Sequence, residues 1–259
     1  MTPGWLASPA VAVVPLVVLV ALFAGGLVIF AIRTARGAGP RTARVERQGG
    51  TVVLGKWIME FGLWMFRPAE RAAVRLGVHP DAISWTSLVL QLAAGLLLAL
   101  GAFGAAGWVL TFGAICDALD GAVARARNLA SPSGELLDAA VDRWGETAVF
   151  LGYAWYYRGL WWGFLLAGAA LAGAFMVSYA RAKGEAAGVD ARMGLMQRHE
   201  RAVLLILSTV GSALWDAAHP EAGFALHAPV LVALGAIALL ANRTGWQRTA
   251  FARRELERR

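Results

Sequence analysis

Long apolar stretches dominate this sequence and limit the folds that it can adopt. Residues 10–32 carry no charged side chain over 23 residues. Further apolar stretches lie at roughly 82–103, 105–127, 135–157, 160–182, 200–217 and 228–246. A helix needs about 20 apolar residues to cross a bilayer. With 58% hydrophobic and only 16% charged residues, the chain is predicted to fold as an all-α, polytopic membrane helix bundle.

Two segments of different character precede the last six stretches. Residues 10–32 predict an extra N-terminal transmembrane helix, and the segment up to residue 55 predicts a basic cytoplasmic linker. Residues 56–77 mix aromatic and charged side chains, so we expect an amphipathic helix on the membrane surface. The predicted division is therefore an N-terminal segment, 1–55, and a main domain, 56–259. The main domain comprises the interfacial helix, the spans within 82–246 and a basic cytoplasmic tail.

The basic residues predict the orientation of the spans. If the N-terminus lies outside and residues 33–80 lie inside, only Arg158 of the 24 Lys and Arg falls on the outer side. Cytoplasmic loops of membrane proteins carry such an excess of positive charge. The pattern predicts a multi-pass protein of the cytoplasmic membrane. It also accounts for the net charge of +7 without a nucleic-acid partner.

Four aspartates interrupt the apolar pattern, and they lie near the predicted cytoplasmic face. Residues 117–142 read DALDGAVARARNLASPSGELLDAAVD, which predicts two helices with a break at 131–134. Helical spacing places Asp117 and Asp120 on one face of the first helix, and Asp138 and Asp142 on one face of the second. Converging carboxylates repel one another unless a cation lies between them. We therefore expect one or two divalent cations held by oxygen ligands.

The neighbours of these aspartates indicate the ligand. Gly121 leaves the backbone open to a bound molecule, and the fork of Arg125 suits a phosphate. With a metal, this combination suggests a phosphate ester or diphosphate substrate. The alternatives are aspartates that only cap helices or pair with arginines, a divalent-cation transporter, and a membrane-anchored interaction protein. A transporter is disfavoured because the aspartates lie near one face and the sequence shows no internal repeat.

The spacing of these residues resembles the signature of the CDP-alcohol phosphotransferase family. The pattern is Asp117-x-x-Asp120-Gly121-x-x-Ala124-Arg125, eight further residues, and then Gly134-x-x-x-Asp138-x-x-x-Asp142, within a resemblance over about 57–250. It implies a homodimeric, metal-dependent phosphatidyltransferase with six transmembrane helices. It also implies two Mg²⁺ or Mn²⁺ ions per site on Asp117, Asp120 and Asp138, with Asp142 as a further ligand and general base. The positions implied to bind CDP-diacylglycerol are Pro80, Asp81, Ala82, Ile83, Gly121, Ala124, Arg125, Ser131 and Gly134.

A second basic set concerns the acceptor of the transferred group. It comprises Arg181, Lys183, Arg198, Arg201 and Arg243. Each of these can be a positive-inside anchor at a helix end, but together they can bind a second phosphate. The segments SYARAKGEA and RHER, with an arginine after the last span, resemble those of actinobacterial phosphatidylinositol phosphate synthases. That resemblance implies inositol phosphate as the acceptor, and phosphatidylinositol phosphate and CMP as products. Glycerol 3-phosphate is the alternative acceptor, because it also carries a phosphate.

Overall fold

Helices make up every regular element in the parts of the chain that the computed structural model describes, which are residues 9–37, 56–219 and 226–259. The helices are α1 (Pro9–Ala35), α2 (Lys56–Arg75), α3 (Pro80–Ala99), α4 (Phe103–Ala126), α5 (Pro132–Tyr156), α6 (Trp161–Ala186), α7 (Arg198–Ala218) and α8 (Ala228–Glu257), with a short 3₁₀ turn at Tyr157–Gly159. The predicted all-α bundle is confirmed. The linker predicted before residue 56 falls mostly on residues 38–55, which lie outside the described residues.

Six of the helices form a closed ring. Helix α3 packs against α4 and α5. Around the rest of the ring, α4 contacts α7, α7 contacts α8, α8 contacts α6, and α6 contacts α5. The buried core inside this ring is apolar and aromatic, and it includes Leu98, Phe103, Tyr153 and Ile237. In a bilayer such side chains hold helices together through van der Waals packing, because lipid tails are as apolar as the core itself. The ring therefore needs no contribution from α1 or α2 to close.

Four helices of the described chain, α3, α4, α6 and α8, are long and apolar enough to cross a membrane. The chain is therefore a multi-pass membrane protein. Helices α5 and α7 do not meet the same criterion of length and apolar composition. Both carry charged side chains inside the ring, including Asp142 and Glu146 on α5 and Arg201 on α7. The count of six family spans and one extra N-terminal span stays a prediction.

Helices α1 and α2 pack together on the outside of the ring. Phe30 of α1 and Phe61 of α2 are buried, and their ring centroids lie 5.6 Å apart. Trp57 and Trp64 complete this aromatic cluster. Both helices also contact α4, and α1 contacts α7. The N-terminal helix is thus docked against the main domain through aromatic side chains.

The backbones of α3 and α5 approach each other without intervening side chains. A Cβ on Gly95 would collide with the carbonyl group of Ala148, and a Cβ on Gly152 would collide with the backbone of Gly95. Small residues allow membrane helices to approach this closely. The two helices are therefore packed in one fixed register, which we call the glycine seam.

The break between the two aspartate helices lies earlier than predicted. Helix α4 ends at Ala126, and Asn128 adopts the left-handed conformation (φ 54°), which asparagine tolerates better than most residues. Ser131 caps α5 by accepting a hydrogen bond from the amide of Gly134 at 3.2 Å. The predicted break at 131–134 was wrong by a few residues, because Pro132 to Gly134 form the first turn of α5.

The C-terminal tail also differs from the prediction. Helix α8 continues to Glu257 instead of ending near residue 246. Ion pairs one turn apart, such as Arg253 with Glu257 at 2.7 Å, accompany this extension. The basic tail is therefore mostly the end of a long helix.

Candidate active site

A polar cavity of about 540 Å³ opens between the ends of α3, α4 and α5. Its lining includes many of the positions predicted to bind CDP-diacylglycerol, and the full set is Pro80, Asp81, Ser84, Asp120, Gly121, Ala124, Arg125, Leu129, Ala130, Ser131, Pro132, Gly134, Glu135 and Asp138. Two predicted positions, Ala82 and Ile83, are not part of this lining, and Ile83 is buried. The motif residues therefore surround one space that can hold a phosphorylated ligand.

Three carboxylates converge beside this cavity. One ligand atom from each of Asp117, Asp120 and Asp138 lies within 4.8 Å of the other two. Hard divalent cations prefer carboxylate oxygen ligands, so the donor set fits the predicted kind of metal. Asp120 is buried, and the other two are partly buried. The cluster brings together the three aspartates predicted as the main metal ligands.

Asp142 is linked to this cluster through an arginine. Arg198, at the start of α7, donates from Nη1 and Nη2 to the two carboxylate oxygens of Asp117, each at 2.7 Å. Its Nη2 also contacts Asp142. A bidentate fork of this kind is the strongest arginine–carboxylate geometry. Arg198, predicted for the acceptor phosphate, thus lies directly at the aspartates.

Ser84 is a partner of the cluster that was not predicted from the sequence. Its hydroxyl donates a 2.6 Å hydrogen bond to Oδ2 of Asp120, and Oδ1 of Asp120 accepts from the amide of Gly121 at 2.5 Å. Both oxygens of this buried carboxylate are therefore oriented. Partners of this kind fix the direction of metal ligands.

Arg201 lies in a buried ion-pair network and not on the cavity wall. Its side chain is 0% exposed and contacts Glu146 at 2.7 Å, while its Nη1 donates to the carbonyl of Met196 at 2.6 Å. Glu146 also pairs with Arg143 at 2.8 Å, and Arg143 donates to Ser178. Glu146 follows Asp142 by one helical turn, a spacing from which its inward direction could have been read.

The remaining predicted acceptor cations form no ion pair with Glu146 among the described residues. Arg181 is partly exposed and pairs with Glu185 at 2.9 Å. Lys183 lines a surface groove between α6 and α8, and Arg243 is exposed on α8. A cation that the sequence analysis missed is the buried Arg248, which donates to carbonyl groups of α6 and of the segment before α7. The predicted acceptor set is thus spread over several environments.

A second cavity, of about 320 Å³, also borders the aspartates, but its lining differs in character. Its lining is mainly apolar, with Phe66, Leu110, Val149, Val203 and Ile206 among its residues. Asp117 and Arg198 also line it, whereas Asp120 and Asp138 line the polar cavity. The carboxylate cluster therefore stands between a polar space and an apolar space.

Comparison with known proteins agrees with this arrangement. The family profile described as CDP-alcohol phosphatidyltransferase matches residues 77–243, which is more than half of the chain. The chain belongs to this family. It is therefore a CDP-alcohol phosphotransferase, and the matched region begins just before α3 and ends within α8.

Relatives within the family carry related names. The phosphatidylinositol phosphate synthase of Mycolicibacterium smegmatis is 30% identical over 194 residues, covering 71% of this chain and 84% of the relative. The archaetidylinositol phosphate synthase of Methanothermobacter thermautotrophicus is 31% identical over 163 residues, covering 61% of this chain and 82% of the relative. Both similarities span most of the relative.

Solved structures share the same fold. The phosphatidylinositol phosphate synthase of Mycobacterium tuberculosis with CDP-DAG bound superposes with a TM-score of 0.60 at 26% identity, covering 71% of this chain and 92% of that chain. The same enzyme in complex with manganese and citrate gives a TM-score of 0.61 at 27% identity, covering 71% of this chain and 87% of that chain. CDP-DAG is thus bound in one structure of similar fold, and manganese in another.

Proposed function

We propose that this protein transfers a phosphatidyl group from CDP-diacylglycerol to inositol phosphate, giving phosphatidylinositol phosphate and CMP. An acceptor hydroxyl oxygen forms the new bond to the phosphorus that carries the lipid. The bond from that phosphorus to the bridging oxygen of the diphosphate breaks, and CMP leaves. The observation that carries the proposal is the polar cavity with three carboxylates at its edge, lined by the family motif.

The donor half of the site follows from the lining of that cavity. We assign the diphosphate to the space beside Gly121 and Arg125, since a guanidinium can donate two hydrogen bonds to one phosphate. The cap of α5, with Ser131 and Gly134, borders the same space. Helix N-termini attract phosphate groups. Pro80 and Asp81 at the start of α3 close the other side.

The aspartates are assigned different roles. Asp117, Asp120 and Asp138 would hold divalent cations, which we propose to be two Mg²⁺ or Mn²⁺ ions. When bound, such ions neutralise the diphosphate and stabilise the leaving CMP. Asp142 is proposed as a further ligand and as the general base, which accepts the proton of the attacking hydroxyl. Its burial, with only 7% exposed, suits a base that works apart from bulk water.

The acceptor half is assigned to the basic residues of the last three helices. Arg198 supports this assignment because it contacts Asp142, the proposed base. A phosphate on Arg198 would therefore bring the acceptor hydroxyl close to that base. Arg181, Lys183, Arg201 and Arg243 complete the proposed set. The names of the relatives, phosphatidylinositol and archaetidylinositol phosphate synthase, favour inositol phosphate over glycerol 3-phosphate.

We further propose the membrane arrangement that the charge pattern predicts. The ring helices form six spans, α1 forms a seventh, and α2 lies at the membrane surface. The aspartates then face the cytoplasm, where soluble acceptors are available. In this proposal, residues 1–55 are the additional N-terminal segment, and the main domain, 56–259, forms a homodimer in the cytoplasmic membrane.

The experiment is a CMP-release assay on the purified full chain in detergent. CDP-diacylglycerol and Mg²⁺ are supplied with inositol phosphate, glycerol 3-phosphate or unphosphorylated inositol. We expect CMP release with inositol phosphate, and a loss of at least a hundredfold in Asp142→Asn, since general-base catalysis contributes about 10²–10⁴-fold. If glycerol 3-phosphate were the one acceptor of the three to give CMP release, it would replace inositol phosphate as the proposed acceptor. Full turnover in Asp142→Asn would refute the proposed base.

A further inference from the structure

Arg198 engages the same carboxylate that a metal ion needs. Both oxygens of Asp117 accept from its guanidinium at 2.7 Å, and Asp117 is one of the three converging ligands. The same guanidinium also contacts Asp142. A divalent cation at this cluster would repel the arginine, since like charges at contact distance are unfavourable. Arg198 and the cation are therefore competing counter-ions of one carboxylate.

We infer that a divalent cation displaces the guanidinium of Arg198 from Asp117 and thereby frees it for the phosphate of the acceptor. This inference rests on the proposed function, which supplies a phosphorylated acceptor. Cation binding and acceptor binding then favour each other, although the two ligands occupy different places. By thermodynamic reciprocity, the acceptor phosphate strengthens cation binding by the same factor. Arg198, which would bind the acceptor phosphate itself, thus couples the two halves of the site.

The other predicted acceptor cations, all of which lie in the described part of the chain, do not offer this coupling. Arg201 is held by Glu146 and by the carbonyl of Met196, so its partners are not metal ligands. Arg181 pairs with Glu185 on the same helix. For Arg198, in contrast, the partners are the aspartates themselves. Its availability to a phosphate therefore depends directly on what else neutralises them.

The test measures Mn²⁺ affinity, without CDP-diacylglycerol and without turnover. Free Mn²⁺ is followed by electron paramagnetic resonance with the full chain in detergent, with and without inositol phosphate. We expect inositol phosphate to strengthen Mn²⁺ binding to the native chain about tenfold, within the usual range of coupling. Unphosphorylated inositol should leave the affinity unchanged. A protein-free titration corrects for Mn²⁺ bound by the phosphate itself.

Variants then locate the coupling at Arg198. Arg198→Met should bind Mn²⁺ about tenfold more tightly without acceptor, as expected when a competing charge-assisted contact is removed, and inositol phosphate should no longer strengthen the binding. Arg192→Met is the matched control, because it removes the same charge from an exposed arginine that pairs with Glu185 and Asp190. It should behave as the native chain. Arg198→Lys, which keeps the charge but loses the fork, should be intermediate.

Each outcome bears on one proposal. Unchanged or weaker Mn²⁺ binding in Arg198→Met, with the native elution volume and helicity, would overturn the inference, as would absence of coupling in the native chain. If Arg198→Met does not fold, the native-chain coupling and Arg198→Lys decide. CMP release without coupling would refute the role of Arg198 and leave the proposed function intact. Coupling with glycerol 3-phosphate but not with inositol phosphate would keep the role of Arg198 and change the acceptor.

Discussion

Replacing Glu146 by glutamine removes the negative charge that holds two arginines inside the helix ring. The Glu146 carboxylate contacts Arg201 at 2.7 Å and Arg143 at 2.8 Å, and its own side chain is only 9% exposed. Breaking a buried ion pair by removing one partner costs about 3–5 kcal/mol, because a charge is left without compensation. We therefore expect Glu146→Gln to lower the free energy of unfolding by about 3–5 kcal/mol.

Removing the cationic partner, Arg201, should lower the free energy of unfolding by less than removing Glu146 does. In Arg201→Met, Glu146 keeps its contact with Arg143, and the apolar methionine fits a fully buried position. Glu185→Gln provides the matched control, because Glu185 pairs with Arg181 at 2.9 Å with both side chains about 40% exposed. Surface pairs contribute about 0–1 kcal/mol. The measurement is reversible unfolding in mixed micelles with increasing SDS, followed by far-ultraviolet circular dichroism.

The reasoning fails if burial does not separate the two glutamates. Equal losses in Glu146→Gln and Glu185→Gln would show that the Glu146 network contributes no more than a surface pair. A larger loss in Arg201→Met than in Glu146→Gln would show that the cation, and not the shared carboxylate, holds the network together. Activity is not needed for either comparison.

Three further predictions concern the donor half of the site. Ser84→Ala removes a hydrogen bond to a carboxylate of the proposed metal site and should weaken Mn²⁺ affinity about 10–100-fold. Ser87→Ala is its control and should leave the affinity unchanged, because the Ser87 hydroxyl bonds to the carbonyl of Gly113 and to Gln91 and not to an aspartate. Gly121→Ala places a Cβ 3.1 Å from Nη1 of Arg125 and should raise the KM for CDP-diacylglycerol about two- to tenfold, the effect of forcing a side chain off its rotamer. Gly235→Ala, which faces open space, is its control. Excess chelator should abolish CMP release and added Mn²⁺ should restore it; turnover that persists in chelator would contradict the metal assignment.

The local part of the site was predictable from the sequence. Asp117 and Asp120 share a helix, and so do Asp138 and Asp142, so helical periodicity alone places each pair on one face. The short connection then brings the two faces together. The apolar stretches also predicted the helices of the ring, because a segment of membrane length has few other ways to satisfy its backbone. Their bounds agree to within a few residues, except that α8 continues to Glu257.

The long-range contacts were not predictable in this way. Ser84 meets Asp120 from 36 residues away, and Arg201 meets Glu146 from 55 residues away. Neither pair has a local pattern, because the contact depends on how α3 and α7 pack against the aspartate helices. The partners of the predicted acceptor cations were likewise not all predictable from the sequence. The shared sign of these cations suggested one phosphate site. The acidic partner of Arg181 lies on the same helix, whereas the acidic partners of Arg198 and Arg201 depend on the packing of the ring.

The glycine seam has a consequence for how this chain can change during evolution or under directed selection. Because no side chain separates α3 from α5 at Gly95 and Gly152, neither helix can shift without a matching change in the other. The proposed donor half of the site lies on these two helices and α4, whereas the predicted acceptor cations lie on α6, α7 and α8. Substitutions that adapt the enzyme to a new alcohol can therefore accumulate on one half of the ring while the other half retains its geometry.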